Sequence, residues 1–387
     1  MKIVHICLSG SYNIDWSYQD NLIPKYHKKF GYDVTVITSI FTNSTRHAGY
    51  EKVSEGTYYS KDGVKVIRIP FKRLLLNQIS ERLRIYEGLF EKLDMENPDI
   101  IFIHGCQFYD IRIVVKYLKN NKNIRVFVDN HADFSNSARN FISKSILHKL
   151  IWRRCAVLIS PFAEKFYGVL PARVNFLNEM YNIPKDKIDL LVMGADDDEI
   201  NKSAKSNLFK QYRKKYGIRE NDILLVTGGK IDYDKKQTLL LMQAVKNINV
   251  PNLKLIVFGS VIDDLKVEVE SLSDGEKIQY VGWIQSQESY SFFGMADLVV
   301  FPGRHSVFWE QVVGQGIPLL VRWWEGTNHI DIGGNVKYLY EDSESEIRSV
   351  IEEILNDSLT LNEMKIAAEG DARKQFLYSE ISRLSIK

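Results

Sequence analysis

The chain has 387 residues, 45% of them hydrophobic, and carries 51 basic and 49 acidic side chains for a formal net charge of +2. This length exceeds what one hydrophobic core supports and predicts two domains of about 190 residues each. The balanced charge excludes the strongly basic surface of many nucleic-acid-binding proteins, so no nucleic acid is expected as a partner.

The start of the chain and its cysteines predict a cytoplasmic location. MKIVHICLSG has no signal-peptide pattern, and no run reaches the about 20 apolar residues that a membrane-spanning helix needs. The three cysteines, Cys7, Cys106 and Cys155, are scattered and lack the spacing of metal ligands. They are expected to be reduced thiols in the core, and no metal site is predicted.

Short apolar runs alternate with helical stretches along the chain. In the first half the predicted strands are KIVHICL, DVTVITS, VKVIRIP, DIIFIHG, IRVFVDN and AVLIS. In the second half they are DILLVTGG, LKLIVFG, KIQYVGW, DLVVFPG, IPLLVRW and VKYLY. Apolar strands separated by helices are typical of parallel sheets covered on both faces. The fold class is therefore predicted to be α/β, with two Rossmann-like, doubly wound domains and a ligand cleft between them.

Polar residues follow three of the first-half strands. In the loop after the first strand, Gly10 allows a close turn, and Asp15 and Gln19 lie at the start of the next helix, where they either cap it or contact an acceptor. His104 and His131 each follow or end a buried strand. A histidine in that position is either a hydrogen-bonded structural group or part of a ligand site.

A basic stretch, SARNFISKSILHKLIWRRCA, spans residues 137–156. Its apolar residues recur at near-helical spacing, with five cations around them. Packing against the protein's own sheet explains most of that apolar face. The cations additionally suggest contact with an anionic membrane that carries a lipid-linked acceptor.

The domain boundary is expected after LLVMGADDDEI, residues 190–200, where a strand ends and a Lys-rich polar segment follows. Beyond it, VTGGKIDYDKK is a candidate phosphate site. Gly229 allows close backbone approach, and Lys230 with Lys235 or Lys236 supplies cations near a helix start. Lys-rich turns are more often simply solvated, so this pattern is weak when taken alone.

The stretch DLVVFPGRHSVFWEQVVGQGIP, residues 297–318, ends a buried strand, exposes polar groups and opens a helix. Ligands of α/β proteins bind beyond the carboxyl ends of the strands, near helix N-termini. His305, Ser306 and Glu310 are therefore predicted to lie at a ligand site.

These motifs together resemble the GT-B glycosyltransferases, and more narrowly the retaining glycosyltransferase family 4, over nearly the whole chain. VTGGKIDYDKK is similar to that family's phosphate clamp, with Lys230 in the arginine place and Lys236 in the lysine place. LLVMGADDDEI resembles the element that ends the first domain. The resemblance implies that Lys230 and Lys236 are catalytic, because they bind the departing diphosphate. It also implies a functional role for His131, which resembles a strand-ending His-Asp element.

Two further motifs resemble the part of the family that binds the donor nucleoside. The loop at Gly282 and Trp283 is similar to the one beside the nucleobase, and WEQVVGQGIPLL resembles the helix whose glutamate binds the ribose. Counting back from the Gly-Ile-Pro that follows gives Gln311 as that residue, whereas chemistry favours Glu310, since a carboxylate accepts hydrogen bonds from both ribose hydroxyls.

Two departures stand out. The family's earlier glutamate is missing, and the turn before Glu310 is about four residues shorter than usual. The resemblance implies an acceptor domain over 1–197, a donor domain over 198–370, and a C-terminal helix over 371–387 that returns to the first domain.

The implied function is metal-independent, retaining transfer of a sugar from a UDP or GDP sugar to a glycan or lipid-linked acceptor. The implied setting is bacterial surface polysaccharide synthesis, in the cytoplasm or on the inner face of the plasma membrane. The nucleotide sugar is a co-substrate, and no cofactor is expected. Three alternatives stay open on the same fold: an epimerase, a sugar phosphorylase and an inactive nucleotide-sugar-binding protein.

Overall fold

Buried Val, Ile and Phe side chains build the sheet of the first half of the chain. In a computed structural model, which describes residues 1–43, 49–73, 77–138 and 140–387, this sheet has the order β10-β9-β8-β7-β1-β2-β6-β5. Its neighbouring strands are parallel, except that β5 runs antiparallel to β6. A small hairpin, β3–β4, is separate from it. The strands are β1 (Lys2–Cys7), β2 (Asp33–Ser39), β3 (Phe41–Asn43), β4 (Tyr50–Lys52), β5 (Gly56–Tyr59), β6 (Lys65–Ile69), β7 (Ile100–His104), β8 (Arg125–Asn130), β9 (Lys165–Gly168) and β10 (Ile188–Leu190).

Helices connect these strands and cover the sheet with apolar faces. In α4, for example, Ile111, Val114 and Leu118 recur at helical spacing and are buried in the core of this unit. The helices are α1 (Gln19–Lys29), α2 (Asn77–Leu83), α3 (Leu89–Glu96), α4 (Ile111–Asn120), a π-helical stretch (Ile142–Trp152) that continues into α5 (Arg153–Ile159), and α6 (Pro171–Glu179).

The second half repeats the architecture around a parallel sheet with the order β13-β12-β11-β14-β15-β16. Because the order reverses direction next to β11, this sheet has the switch point at which doubly wound proteins bind ligands. The strands are β11 (Ile223–Gly228), β12 (Leu253–Phe258), β13 (Ile278–Tyr280), β14 (Leu298–Phe301), β15 (Leu319–Arg322) and β16 (Val336–Leu339). The helices are α7 (Asp197–Lys205), α8 (Leu208–Lys215), α9 (Gln237–Asn247), α10 (Asp263–Leu272), α11 (Ser289–Gly294), α12 (Phe308–Gln315), α13 (Glu344–Asn356), α14 (Ser358–Glu369) and α15 (Tyr378–Leu384).

The chain divides into two compact units. The first unit comprises Met1–Val192 and Ile381–Lys387, and the second comprises Met193–Glu380. The segment 371–387, predicted as one helix, is interrupted: Asp371–Phe376 forms a 3-10 turn, and Leu377 pairs with Ala195 before α15 begins. The backbone N–H of Ala195 donates to the Phe376 carbonyl, which explains the break.

One predicted strand is wrong. AVLIS, residues 156–160, lies mostly in α5, where Ala156 and Ile159 are buried while Val157 and Leu158 are exposed. That alternation has the helical period, which a run of four apolar residues does not reveal. The strand at this place in the sheet is instead β9, whose short sequence KFYG begins with a lysine.

Candidate functional site

Three glycines bring backbone segments together at the carboxyl edge of the second-unit sheet. A Cβ on Gly259 would lie 1.9 Å from the carbonyl oxygen of Gly229, and the Gly259 N–H donates to the Gly282 carbonyl at 2.7 Å. All three have positive φ, which glycine adopts without strain. The loops after β11, β12 and β13 are therefore held close to one another where a ligand is expected.

Two lysines of the loop after β11 influence each other. Lys230 is exposed and lies 3.2 Å from Asp232 through its Nζ. Lys235 is half-buried, and burial lowers its pKa; Asp232 opposes that change and the charge of Lys230 adds to it. Lys236 is exposed and occupies the N-cap of α9. Lys230 and Lys235 thus form a pair of neighbouring cations, whereas the family resemblance places Lys236 with Lys230; which of Lys235 and Lys236 binds phosphate stays a prediction.

This pair lies at the start of α9, next to the loop after β14. A Cβ on Gly303 would meet the Gln237 Oε1 at 3.1 Å and the Lys235 Cα at 3.7 Å. Arg304 lies 3.7 Å from Asp234 and adds a third cation to the region. Gln237, the first residue of α9, has a buried Oε1 with no hydrogen-bond partner. Three cations and a helix N-terminus together suit an anionic diphosphate. We call this region the cationic loop cluster.

Glu310, in the first turn of α12, is fully buried between two histidines. Its Oε1 accepts from His305 Nε2 at 2.8 Å and from His329 Nε2 at 3.0 Å. Burial would raise the pKa of Glu310, but the two imidazoles outweigh it and hold that pKa well below its usual range. Its Oε2 is buried without a partner. The sequence predicted that this carboxylate accepts from both ribose hydroxyls. Its Oε1 is already shared by two histidines, which leaves Oε2 as the oxygen that a ligand hydroxyl would reach.

The other predicted donor-site residues are placed as follows. Gln311 is 7% exposed, and its Nε2 donates to Ser289 Oγ at 2.9 Å and to Gln315 at 3.2 Å. Ser306 Oγ accepts from the Phe308 N–H at 3.4 Å, next to the start of α12. Trp283 is 71% exposed in the loop that Gly282 begins, so it offers an open ring face. The assignment of the ribose to Glu310 or Gln311 stays a prediction.

In the first unit, one carboxylate brings both predicted histidines together. Asp129, on β8, has no exposed surface; its Oδ2 accepts from His104 Nδ1 at 2.9 Å and lies 3.4 Å from His131 Nε2. Burial would raise the pKa of Asp129, but His104 and His131 lower it far below its usual range. His131 is 42% exposed and so presents the accessible face of this cluster.

The loop after β1 divides into a structural part and an open part. Asp15 Oδ1 accepts from the Lys61 N–H at 2.9 Å, which is a structural contact between loops. Gly10 has open space around it. Gln19, the first residue of α1, is 4% exposed, yet neither of its amide atoms has a partner. Burial raises the pKa of the neighbouring Asp20, although His104 and His131 oppose it. Gln19 and Asp20 are therefore better ligand candidates than Asp15.

No three His, Cys, Asp or Glu side chains among the described residues are arranged to hold a metal ion. None of the helices over those same ranges is long and apolar enough to cross a bilayer. The three cysteines are buried and unpaired, as predicted.

Comparison with known proteins finds a family match in the second unit. Residues 209–369 match the family described as glycosyl transferases group 1. The match lies within the second unit and covers less than half of the chain. An uncharacterized glycosyltransferase of Methanocaldococcus jannaschii is 23% identical over 149 residues, which is 37% of this chain and 38% of that relative. The match thus spans well under half of the relative's length.

Solved structures extend the likeness to both units. HepE of Anabaena, in complex with UDP, has a TM-score of 0.67 at 13% identity, covering 99% of this chain and 98% of that one. WaaG, a glycosyltransferase involved in lipopolysaccharide biosynthesis, has a TM-score of 0.64 at 15% identity with 99% and 98% coverage. The UDP-GlcNAc 2-epimerase of Neisseria meningitidis has a TM-score of 0.62 at 13% identity, also with 99% and 98% coverage. At these identities the likeness shows the fold, which is of the GT-B type.

Sequence reasoning missed two residues that organise these sites, Asp129 and His329. Asp129 is internal to a predicted strand, and His329 lies in a short 3-10 turn, Asn328–Ile330, with no motif of its own. Lys235 was considered, but the spacing alone did not distinguish it from Lys236. The signal for Asp129 was present in VDNHA, where an acidic residue stands in an otherwise apolar strand; such a residue is rarely buried unless it is paired.

Proposed function

We propose that this protein is a glycosyltransferase that moves a sugar from a nucleoside-diphosphate sugar to a hydroxyl of an acceptor. The observation that carries the proposal is the cationic loop cluster at the N-terminus of α9, inside the group 1 glycosyltransferase domain. Lys230 and Lys235 raise each other's electrostatic energy, and a bound diphosphate relieves that repulsion.

The same groups favour bond breaking over mere binding. As the glycosidic C–O bond breaks, negative charge grows on the departing diphosphate, and fixed cations and helix N–H groups stabilise it. The acceptor oxygen bonds to the sugar carbon, and its proton leaves with the diphosphate. We assign His131 to contact with the transferred sugar or the acceptor, since it is the accessible member of the Asp129 cluster. Retention of configuration and independence from metal are parts of this proposal.

A UDP or GDP sugar is expected to stabilise the chain against heat, because a ligand that binds only the folded state shifts the unfolding equilibrium. At 100 times the Kd this contributes about 2.7 kcal/mol. Thermal unfolding should be measured with UDP-, GDP-, ADP- and CMP-sugars, followed by product analysis with glycan and lipid-linked acceptors. Stabilisation by none of the four classes, or stabilisation without transfer to any acceptor, would contradict the proposal.

Epimerisation is the second candidate, because a UDP-GlcNAc 2-epimerase shares the fold over 99% of this chain. The two activities differ in one requirement. An epimerase converts its nucleotide sugar without any acceptor, whereas a transferase releases nucleoside diphosphate in proportion to the glycosylated product. Conversion of the stabilising donor in the absence of acceptor would favour the epimerase.

We further propose that the acceptor is lipid-linked and that the basic stretch docks on an anionic membrane surface. Leu147, Ile151 and Trp152 pack against the first-unit core, which accounts for one face of the stretch. A second set of apolar side chains is exposed, and we call it the apolar stripe: Phe141, Ile146, Leu150, Val157 and Leu158. Lys144, Lys149, Arg153 and Arg154 lie among them, and no acidic residue occurs between 141 and 158. Arg139 and the Ile142 side chain lie outside the described residues.

Replacing Ile146 and Leu150 together by serine is expected to weaken binding to anionic vesicles by at least about 10-fold, because each buried aliphatic side chain contributes about 1.5–3 kcal/mol. Vesicle flotation with phosphatidylglycerol, compared with phosphatidylcholine alone, measures this. Val267→Ser is the matched control, since Val267 is 77% exposed in α10, outside the stretch. Equal binding of the double variant and the control would contradict the docking proposal.

A further inference from the structure

A row of buried imidazoles crosses the core of the first unit. His27 Nδ1 lies 3.1 Å from His5 Nε2, and His5 Nδ1 lies 3.0 Å from His104 Nε2. One end of the row is the contact of His104 Nδ1 with Asp129 Oδ2, and the other is His27 Nε2, 2.8 Å from the Ser382 carbonyl oxygen. The three histidines are at most 6% exposed. We call this row the imidazole chain.

Both ends of the imidazole chain are hydrogen-bond acceptors. The Asp129 carboxylate is ionised, and a carbonyl oxygen has no proton to give. Ser385 Oγ, 3.2 Å from His27 Nε2, uses its own proton on the Ser382 carbonyl at 2.9 Å. A proton on His27 Nε2 is therefore required, because otherwise two lone pairs would face each other at 2.8 Å in the core.

The number of protons follows from the number of contacts. Three imidazoles between two acceptors make four contacts, and each contact needs one proton. Three neutral imidazoles supply only three protons, because each neutral ring carries one N–H. The fourth proton makes one ring an imidazolium. Every contact is then satisfied, and the positive charge offsets the negative charge of Asp129.

The charge belongs on His104, next to the carboxylate. Burial lowers the pKa of His5 well below its usual range, and the other two histidines lower it further. Burial also lowers the pKa of His27 to about 4, although the bond to Ser382 opposes this. The groups that face the chain from neighbouring elements are Asp20 and Tyr32, the Phe102 ring, and the half-exposed His131. Of the two nearby carboxylates, Asp129 and not Asp20 is in hydrogen-bond contact with an imidazole of the chain.

We propose that the imidazole chain holds one excess proton as a fixed counter-charge for Asp129, and that this keeps His131 neutral and oriented for its ligand. With its charge balanced by His104, Asp129 orients the His131 ring through the 3.4 Å contact of Oδ2 with Nε2, which leaves His131 Nδ1 to accept from a ligand hydroxyl. His104, His5 and His27 are thus positioning residues. The role of His131 toward a ligand rests on the proposed function, whereas the proton count does not.

The protonation states are read directly by NMR of the full chain labelled with ¹⁵N-histidine at pH 7.5. The expected result is a doubly protonated His104, with His5 and His27 neutral and protonated at Nε2. Substitution of one histidine at a time assigns the signals. A neutral His104, or a His27 that lacks a proton on Nε2, would overturn the proposal without recourse to any variant.

Two substitutions of His27 test the number of protons that the imidazole chain holds. His27→Phe removes the acceptor for His5 Nε2, so two imidazoles then make only two contacts and no excess proton is needed. His104 is expected to become neutral, and the titration of His131 should move upward by at least about half a pH unit, because Asp129 loses its counter-charge. His27→Gln keeps one acceptor and one donor at this position and should leave both signals in place. Identical spectra for the two variants would contradict the proposal.

Activity gives a separate readout. With the stabilising donor, the acidic limb of the kcat profile is expected to move to higher pH in His27→Phe but not in His27→Gln, since a protonated His131 no longer accepts from a hydroxyl. An unchanged profile together with a neutral His104 would overturn the positioning role. If NMR shows the predicted protonation states but no sugar is transferred to any acceptor, the proposed function is refuted. The proposed excess proton in the imidazole chain is then still supported.

Discussion

Replacing Lys235 by alanine is expected to lower kcat about 100-fold, the usual scale for removing one group that stabilises developing charge. Lys235 is half-buried beside Lys230, where burial and the neighbouring cation both lower its pKa. A cation held in that way interacts strongly with an anion because little water screens it. Lys230→Ala is expected to cause a loss of similar size, although Lys230 is more exposed.

Steady-state kinetics with the donor that stabilises the chain will measure both effects. Lys246→Ala is the matched control, since Lys246 is an exposed lysine in the last turn of the same helix, α9. Lys236→Ala distinguishes the two alignments of the motif. Suppose that Lys236→Ala lowers kcat 100-fold while Lys235→Ala changes kcat by less than about threefold. Lys236 is then the phosphate-binding partner of Lys230, as the family motif implies, and the assignment to Lys235 is wrong.

Replacing Glu310 by alanine is expected to lower the free energy of unfolding by about 3–5 kcal/mol, the cost of breaking a buried charge cluster. The variant leaves His305 and His329 without their shared acceptor in a core position. The pKa of Glu310 is lower in the folded than in the unfolded chain. Its contribution to the free energy of unfolding is therefore complete above the ordinary pKa of glutamate, and it is lost as the pH falls toward the pKa of the folded state.

Urea denaturation at pH 7.5 and at pH 4 measures both the loss and its pH dependence. Glu325→Ala, at an exposed position in the same unit, is the control and should change stability by no more than about 0.5 kcal/mol. A Glu310→Ala protein of unchanged stability that binds nucleotide poorly would instead support the ribose role that the sequence suggested.

The sequence predicted most of the strands because their residues are buried on both faces. KIVHICL and DILLVTGG, for example, became the central strands β1 and β11. AVLIS was misread since a run of four apolar residues fits a strand and a helix equally well. The antiparallel strand β5, GTYY, was not predicted, because it is largely exposed and has no continuous apolar run.

The sites were predicted in outline, since residues at the ends of parallel strands are brought together by the topology itself. His104 and His131 were found in this way, and so was the lysine-rich loop. Their partners were not predicted, because a shared acceptor such as Asp129 depends on the register of β7 against β8, which pairs His104 with Asp129. The two histidines on Glu310 come from loops on either side of β15, and no spacing in the sequence indicates that contact.

The inclusion of Ile381–Lys387 in the first unit has a consequence for biosynthesis. The ribosome makes the whole second unit, about 190 residues, between the two parts of the first, which takes roughly 10–40 s at 5–20 residues per second. During that interval the His27 imidazole has no acceptor, because the Ser382 carbonyl has not yet been made. The first unit thus begins to emerge before the second but completes its core after it. Its nascent form is therefore expected to expose an incomplete core for longer than its position in the chain suggests.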